Sequence, residues 1–134
     1  MSTSSRPALL GIRHVAIFMR DLEAAERFWV DVMGYALEWK PDADNVYLRG
    51  GTDNLALHRA PPGAAVTAGA LDHIGLAVAA PGDVDDWATH LEGKGVTLKA
   101  RPKTHRDGSR SLYFHAPENL LVQIIHHSPL VGGP

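Results

Sequence analysis

The chain has no cysteine among its 134 residues. That excludes disulfides, thiolate metal ligands and a cysteine nucleophile. Any metal would have to be held by nitrogen and oxygen. There is no excess of positive charge either: the net charge is −2. Nucleic acids and anionic membranes are bound by clustered Lys and Arg, so neither is an expected partner. No apolar run reaches the roughly 20 residues a membrane-spanning helix needs. Residues 1–7 are Ser-rich and lack the apolar core of a signal peptide, so a cytoplasmic location is expected. Gly-rich phosphate loops, a Ser-His-Asp constellation and zinc-finger spacing are also missing.

What the chain does have is a repeat. Ile12-Arg13-His14-Val15-Ala16-Ile17 is echoed by Leu71-Asp72-His73-Ile74-Gly75-Leu76. Asp53-Asn54-Leu55-Ala56-Leu57-His58 is echoed by Glu118-Asn119-Leu120-Leu121-Val122-Gln123. Order is kept and spacing nearly so, which implies two similar units packed by pseudo-symmetry. The echoes place His14, His58, His73 and Gln123 at matching points.

Local patterns fill in the units. Gly11 to Met19 alternates as a strand. Asp21 is a plausible N-cap for a helix with Leu22, Ala25, Phe28, Trp29 and Val32 on its apolar side, stopped by Gly34. Strands are expected at Ala36–Lys40, Asn45–Arg49 and Asn54–Ala60, the last two joined by a Gly50-Gly51-Thr52-Asp53 turn. The Pro- and Gly-rich stretch from Ala60 reads as a linker. The second unit repeats the order: a strand at Leu71–Ala79, a helix opened by Asp83 and closed near Gly93 or Gly95, then strands at Val96–Ala100, Ser111–His115 and Asn119–His126. A polar loop over Pro102–Gly108 accounts for the extra length. The expected layout is a tail at 1–9, one domain at 10–127 (units 10–60 and 70–127, linker 61–69) and a tail at 128–134. The repeat is too long for a solenoid.

Several stretches carry a wider resemblance: Ile12-Arg13-His14-Val15, the helix ending Asp31-Val32-Met33-Gly34-Tyr35, Leu71-Asp72-His73-Ile74, and Leu112-Tyr113-Phe114-His115-Ala116-Pro117-Glu118-Asn119-Leu120. In this order the chain resembles the vicinal oxygen chelate superfamily, which includes glyoxalase I, fosfomycin- and bleomycin-resistance proteins and extradiol dioxygenases. The resemblance covers about residues 10–127. It implies an α+β fold of two tandem βαβββ modules forming a curved mixed sheet around a cavity. It also implies a homodimer with sites at the interface, and inward-facing metal ligands on the first and last strands of each module. Matched residue by residue, those positions are His14 and His58, then His73 and Gln123. The metal would be Zn, Fe, Ni, Mn or Cu. Metal-dependent members usually carry Glu at the last position. Gln123 stands there, so all four side chains are neutral, and Gln cannot serve as a base.

Two functions from different classes follow. One is a small metal-dependent enzyme that chelates a small oxygen-bearing substrate, its reaction unassigned among lyase, isomerase, transferase and dioxygenase. The other is a metal-free binding or sequestration protein like the bleomycin-resistance branch. Tyr47 and Tyr113, with Arg49 and His115 two residues on, are candidate substrate contacts; ordinary strand packing is the alternative. Glu38 and Tyr113 are candidates for proton transfer, with an exposed edge-strand charge as the plainer reading of Glu38. Arg101, Lys103, His105, Arg106 and Arg110 form either a lid over an acidic substrate or a solvated loop. Glu118 and His126-His127 read as surface, and Trp29 and Trp87 as core.

Overall fold

The computed structural model describes residues 6–66 and 69–127. The expected C-terminal tail at 128–134 and the start of the N-terminal tail lie outside them. Alternation decides the first strand, β1 (His14–Met19): Val15, Ile17 and Met19 turn toward the core, while His14, Ala16 and Phe18 stay exposed. Asp21 then caps α1 (Leu22–Arg27), its Oδ1 accepting the Ala24 N–H at 3.1 Å. The helix does not continue as α. Phe28–Val32 forms a π turn in which Met33 N–H donates to the Phe28 carbonyl at 3.2 Å. Widening the turn there leaves Trp29 fully buried against Tyr35, with ring centroids 5.1 Å apart. Gly34 ends the segment at φ +78°.

Three strands follow: β2 (Ala36–Asp42), β3 (Asn45–Arg49) and β4 (Asn54–Arg59). The sheet order is β1-β4-β3-β2, with β1 and β4 parallel and the other pairs antiparallel. The second module repeats this with β5 (Ile74–Ala77), α2 (Pro81–Gly93), β6 (Leu98–Thr104), β7 (Arg110–Ala116) and β8 (Leu120–His126), in the order β5-β8-β7-β6. The repeat read from sequence is therefore a repeat of topology. The two sheets remain separate four-stranded units rather than one continuous sheet.

Several expected boundaries move: β1 begins at His14 and not at Gly11, and β5 covers Ile74–Ala77 and not Leu71–Ala79. Asp83 does not open α2; Pro81 does, as the fixed φ of proline suits the first turn. Asp83 sits in that turn and reaches back, its Oδ2 accepting the Ala80 N–H at 3.1 Å. The polar loop is also shorter than expected, because β6 runs on through Pro102 to Thr104 before pairing gives way.

One hydrophobic cluster serves both modules, joining Met19, Leu22, Trp29, Val46 and Leu57 to Val84, Leu91, Leu112, Phe114 and Ile124. Beyond this core, three hydrogen-bond or ring contacts among the described residues cross the module boundary. Phe28 meets Phe114 at 6.2 Å between ring centroids. His90 Nε2–H donates to the Val32 carbonyl at 2.7 Å. Glu118 Oε2 accepts the Asp21 N–H at 2.9 Å. The helix face of each sheet is spent on this core, and the opposite face lies outside it.

Candidate functional site

Strand parity sets that opposite face. In the first sheet it carries His14, Ala16 and Phe18 from β1, Asn54, Ala56 and His58 from β4, and Asn45, Tyr47 and Arg49 from β3. A break in the β2–β3 register between Leu37 and Trp39 brings both Glu38 and Trp39 to the same side. Phe18 is 54% exposed and Trp39 60%, unusual for rings of this size without a partner.

Each of the two imidazoles on this face is held by an asparagine that is itself held by a carboxylate. His14 Nδ1 lies 2.7 Å from Asn54 Oδ1, and Asn54 Nδ2 donates to Glu38 Oε1 at 2.8 Å. His58 Nδ1 lies 2.6 Å from Asn45 Oδ1, and Asn45 Nδ2 donates to Asp42 Oδ1 at 2.8 Å. The carboxylates accept only, so they fix which way each amide points. An amide oxygen also accepts only, so both Nδ1 atoms carry the proton. When neutral, His14 and His58 therefore present Nε2 as a lone pair. Glu38 Oε2 additionally faces Arg49 Nε at 3.6 Å. Glu38 thus serves as an anchor of the His14 chain.

The second sheet is arranged differently. His73 Nδ1 is 2.6 Å from Asp72 Oδ2, which frees its Nε2 in the same way. Its ring stands edge-on to Tyr113 at 5.2 Å. Gln123 is only 8% exposed, and its Nε2 donates to the Tyr113 hydroxyl at 2.9 Å. A side chain on Gly75 would place Cβ 3.3 Å from Gln123 Oε1, so the glycine lets this amide lie flat across β5.

Register corrects one equivalence drawn from the sequence echoes. Gln123 pairs with Gly75 and with Tyr113. In the first module Tyr47 pairs with Ala56, and Ala56 with Ala16. The partner of Gln123 by symmetry is therefore Ala56. His58 lies two residues further along, beside Phe18 and Asn45, at the place matched by Ile125. Tyr47 and Tyr113, in contrast, are equivalent as the sequence suggests.

Whether these donors fit a divalent metal can be tested directly. Among the described residues no three His, Asp or Glu side chains gather closely enough to hold one. No hydrogen bond, ion pair or ring contact among the described residues joins His14 or His58 to His73 or Gln123.

Other sequence candidates scatter. Arg101 pairs with Glu92 at 2.6 Å, and Arg110 with Asp85 at 2.7 Å, so both brace strands against α2 instead of reaching over a site. Arg101 and Arg110 are accordingly held above the usual arginine range by those carboxylates. His105 Nε2 meets Ser111 Oγ at 2.8 Å. His115 and Arg49 are exposed at the ends of β7 and β3. Glu118 is not a solvated turn residue: one carboxylate oxygen holds Asp21 and the other is buried without a partner. Of the two tryptophans read as core, Trp29 is fully buried and Trp87 half-buried, edge-on to His90. Sequence reasoning missed Asn45 and Asn54. For Asn54 the available signal was parity, since it falls on the same face of β4 as His58; Asn45 meets His58 only through cross-strand register.

A family profile described as the Glyoxalase/Bleomycin resistance protein/Dioxygenase superfamily matches residues 11–124. With the paired βαβββ topology, this settles the class: the chain belongs to that superfamily. Its fold is similar to that of a lactoylglutathione lyase from Agrobacterium tumefaciens, at 22% identity and a TM-score of 0.74 over 90% of this chain and 96% of that one. It is also similar to a glyoxalase/bleomycin resistance protein/dioxygenase from Alicyclobacillus acidocaldarius, at 20% identity and a TM-score of 0.71 over 88% and 92%. An integron cassette protein from the Halifax Harbour sewage outfall metagenome gives 19% and 0.75 over 89% and 100%. At these identities the likeness concerns the fold. A comparison with curated proteins finds no match. Among the described residues no helix is long and apolar enough to cross a membrane.

Proposed function

We propose that this chain is a small-molecule-binding member of the superfamily that binds its ligand without a metal, on the open face of the first sheet. One observation carries the reading. That face combines two imidazoles, each fixed with Nε2 as acceptor, with exposed aromatic rings at Phe18 and Trp39. Such a surface is preorganised: its polar atoms are aimed before a ligand arrives, and its apolar area is not yet buried. The amide of Gln123, at the position where metal-dependent members usually carry a carboxylate, supports the same reading.

A second reading is favoured by a separate observation. His73 also has its Nδ1 committed, so His14 and His73 both have the tautomer a metal ligand needs. In a homodimer, His14 of one protomer with His73 and Gln123 of its partner would be the residues to hold a divalent cation. The cation would supply Lewis acidity toward a substrate oxygen.

Metal content and divalent-metal titration, on untagged protein beside His14→Ala/His73→Ala, separate the two. We expect no stoichiometric metal in the wild type and no difference from the double variant. One metal per site, lost in the double variant, would replace the first reading with the second.

A further inference from the structure

We infer that the His58 end of this face is a subsite for a planar aromatic ligand that carries a hydrogen-bond donor on its ring edge. The inference rests on the reading of the face as a small-molecule surface and assigns that surface a ligand class. Three features converge. His58 Nδ1–H is committed to Asn45, and Nε2 has no partner among the described residues, so the free ring nitrogen accepts. Rings surround it: Phe18 at 6.5 Å and 61°, and Tyr47 at 5.8 Å and 78°, both edge-on. Trp39 lies stacked on Tyr47 at 5.2 Å and 25°, extending the aromatic shelf into solvent. Offset stacking and edge contacts are the geometries aromatic rings prefer, so a flat guest can lie against Trp39 or Phe18. Its edge then meets His58, and a ring N–H or O–H there completes the hydrogen bond.

The charges nearby argue against an anionic guest. Asp42 stands behind Asn45. The Arg59 guanidinium that ends the same strand is already bound to Glu23 and Asp44. Register also sets His58 away from the place equivalent to Gln123, so the subsite is separate from the His14, His73 and Gln123 set of the second reading.

Indole and N-methylindole make the test, since they differ at the donor. Binding is read by two-dimensional NMR of the whole protein, following the His58 and Tyr47 rings. We expect wild type to bind indole about three- to tenfold tighter than N-methylindole, the ratio set by one neutral hydrogen bond. His58→Phe should bind both equally. Asn45→Ala, which keeps the imidazole and removes only its Nδ1 partner, should narrow the preference by releasing the tautomer. Trp39→Ala should weaken both probes alike. No preference in wild type, or a preference that survives in His58→Phe, overturns the subsite while leaving the face a ligand surface. Failure of both probes to perturb any open-face residue overturns the subsite and the functional reading together. So does a wild-type dimer by sedimentation that Trp39→Ala turns into monomer, because a second copy would then cover the shelf.

Discussion

Asn54 Oδ1 lies 2.7 Å from His14 Nδ1, while the amide nitrogen of the same residue donates to Glu38. A neutral residue thus transmits the orienting effect of a carboxylate on β2 to an imidazole on β1, three strands away in the sheet. The effect is on proton position and needs no change of net charge.

Removing the link should therefore alter the His14 tautomer before it alters the fold. In wild type, nitrogen NMR should find the proton on Nδ1. Asn54→Ala should give a mixture of tautomers and weaken any ligand that binds through Nε2 by about tenfold. Glu38→Gln is the informative control. Its amide oxygen can still accept from Asn54, so the tautomer should persist. If Asn54→Ala leaves the ring nitrogens unchanged, Asn54 does not position His14.

Gly50 and Tyr35 define a packing constraint close to the turn before β4. A Cβ on Gly50 would lie 2.5 Å from the Tyr35 ring, whose hydroxyl donates to Asp53 Oδ2 at 2.7 Å. Burial, then this bond to Asp53, raises the Tyr35 phenol above its ordinary value. Tyr35→Phe removes one hydrogen bond and should cost about 1 kcal/mol in urea unfolding. Gly50→Ala must displace a buried ring and should cost about 1–3 kcal/mol. In a Tyr35→Ala background the Gly50→Ala penalty should largely vanish; a penalty that stays would point to the turn backbone instead.

This turn also marks the limit of what the sequence made legible. Gly50-Gly51-Thr52-Asp53 is readable as a turn, and the strand pattern on either side as β3 and β4, because both signals are local. That Gly50 is required by Tyr35, fifteen residues earlier, depends on packing across the chain. The same division holds at the site. His14 and His73 stand out because the repeat marks them. His58 was aligned with Gln123 by the echo of residue types, but a sheet is organised by cross-strand register, and a two-residue slip keeps the face while changing the neighbours. Asn45 and Asn54 gain meaning only once the bulge near Glu38 and the turn at Asp42 have brought carboxylates to their amides.

Acid should act through a small set of surface ion pairs spread over both modules. A hydrogen bond from Arg59, then one from its own backbone, lowers the Glu23 carboxyl from 4.5 to about 2. The folded value lies below the unfolded one, so the contribution is present above about pH 4.5. It is lost as pH falls toward 2. Asp85, held down by Arg110, and Glu92, held down by Arg101, act in the same direction. Stability should fall on acidification through this window, and Glu23→Gln should flatten the slope. These groups are at the surface, so added salt should flatten it as well. A stability that is level from pH 5 to 2 would mean that these pairs persist in the unfolded chain.

Glu118 and Asn119 both adopt left-handed backbone, at φ 62° and 65°, just before β8. Glycine would relieve the strain at either position, yet the two substitutions should have opposite signs. Asn119 is exposed, and its side chain makes no hydrogen bond among the described residues. Asn119→Gly should be neutral or stabilising by a few tenths of a kcal/mol, since Asn tolerates this conformation better than most residues. Glu118→Gly gains more from relief, about 1 kcal/mol. It also loses the charged hydrogen bond to the Asp21 backbone, worth about 1.5–3 kcal/mol. The loss is the larger, and it falls where the second module holds the start of α1. Glu118→Gly should therefore lower the unfolding midpoint and speed amide exchange at Asp21. If it raises the midpoint instead, strain outweighs the contact, and the modules are held together by their shared core and the His90–Val32 hydrogen bond.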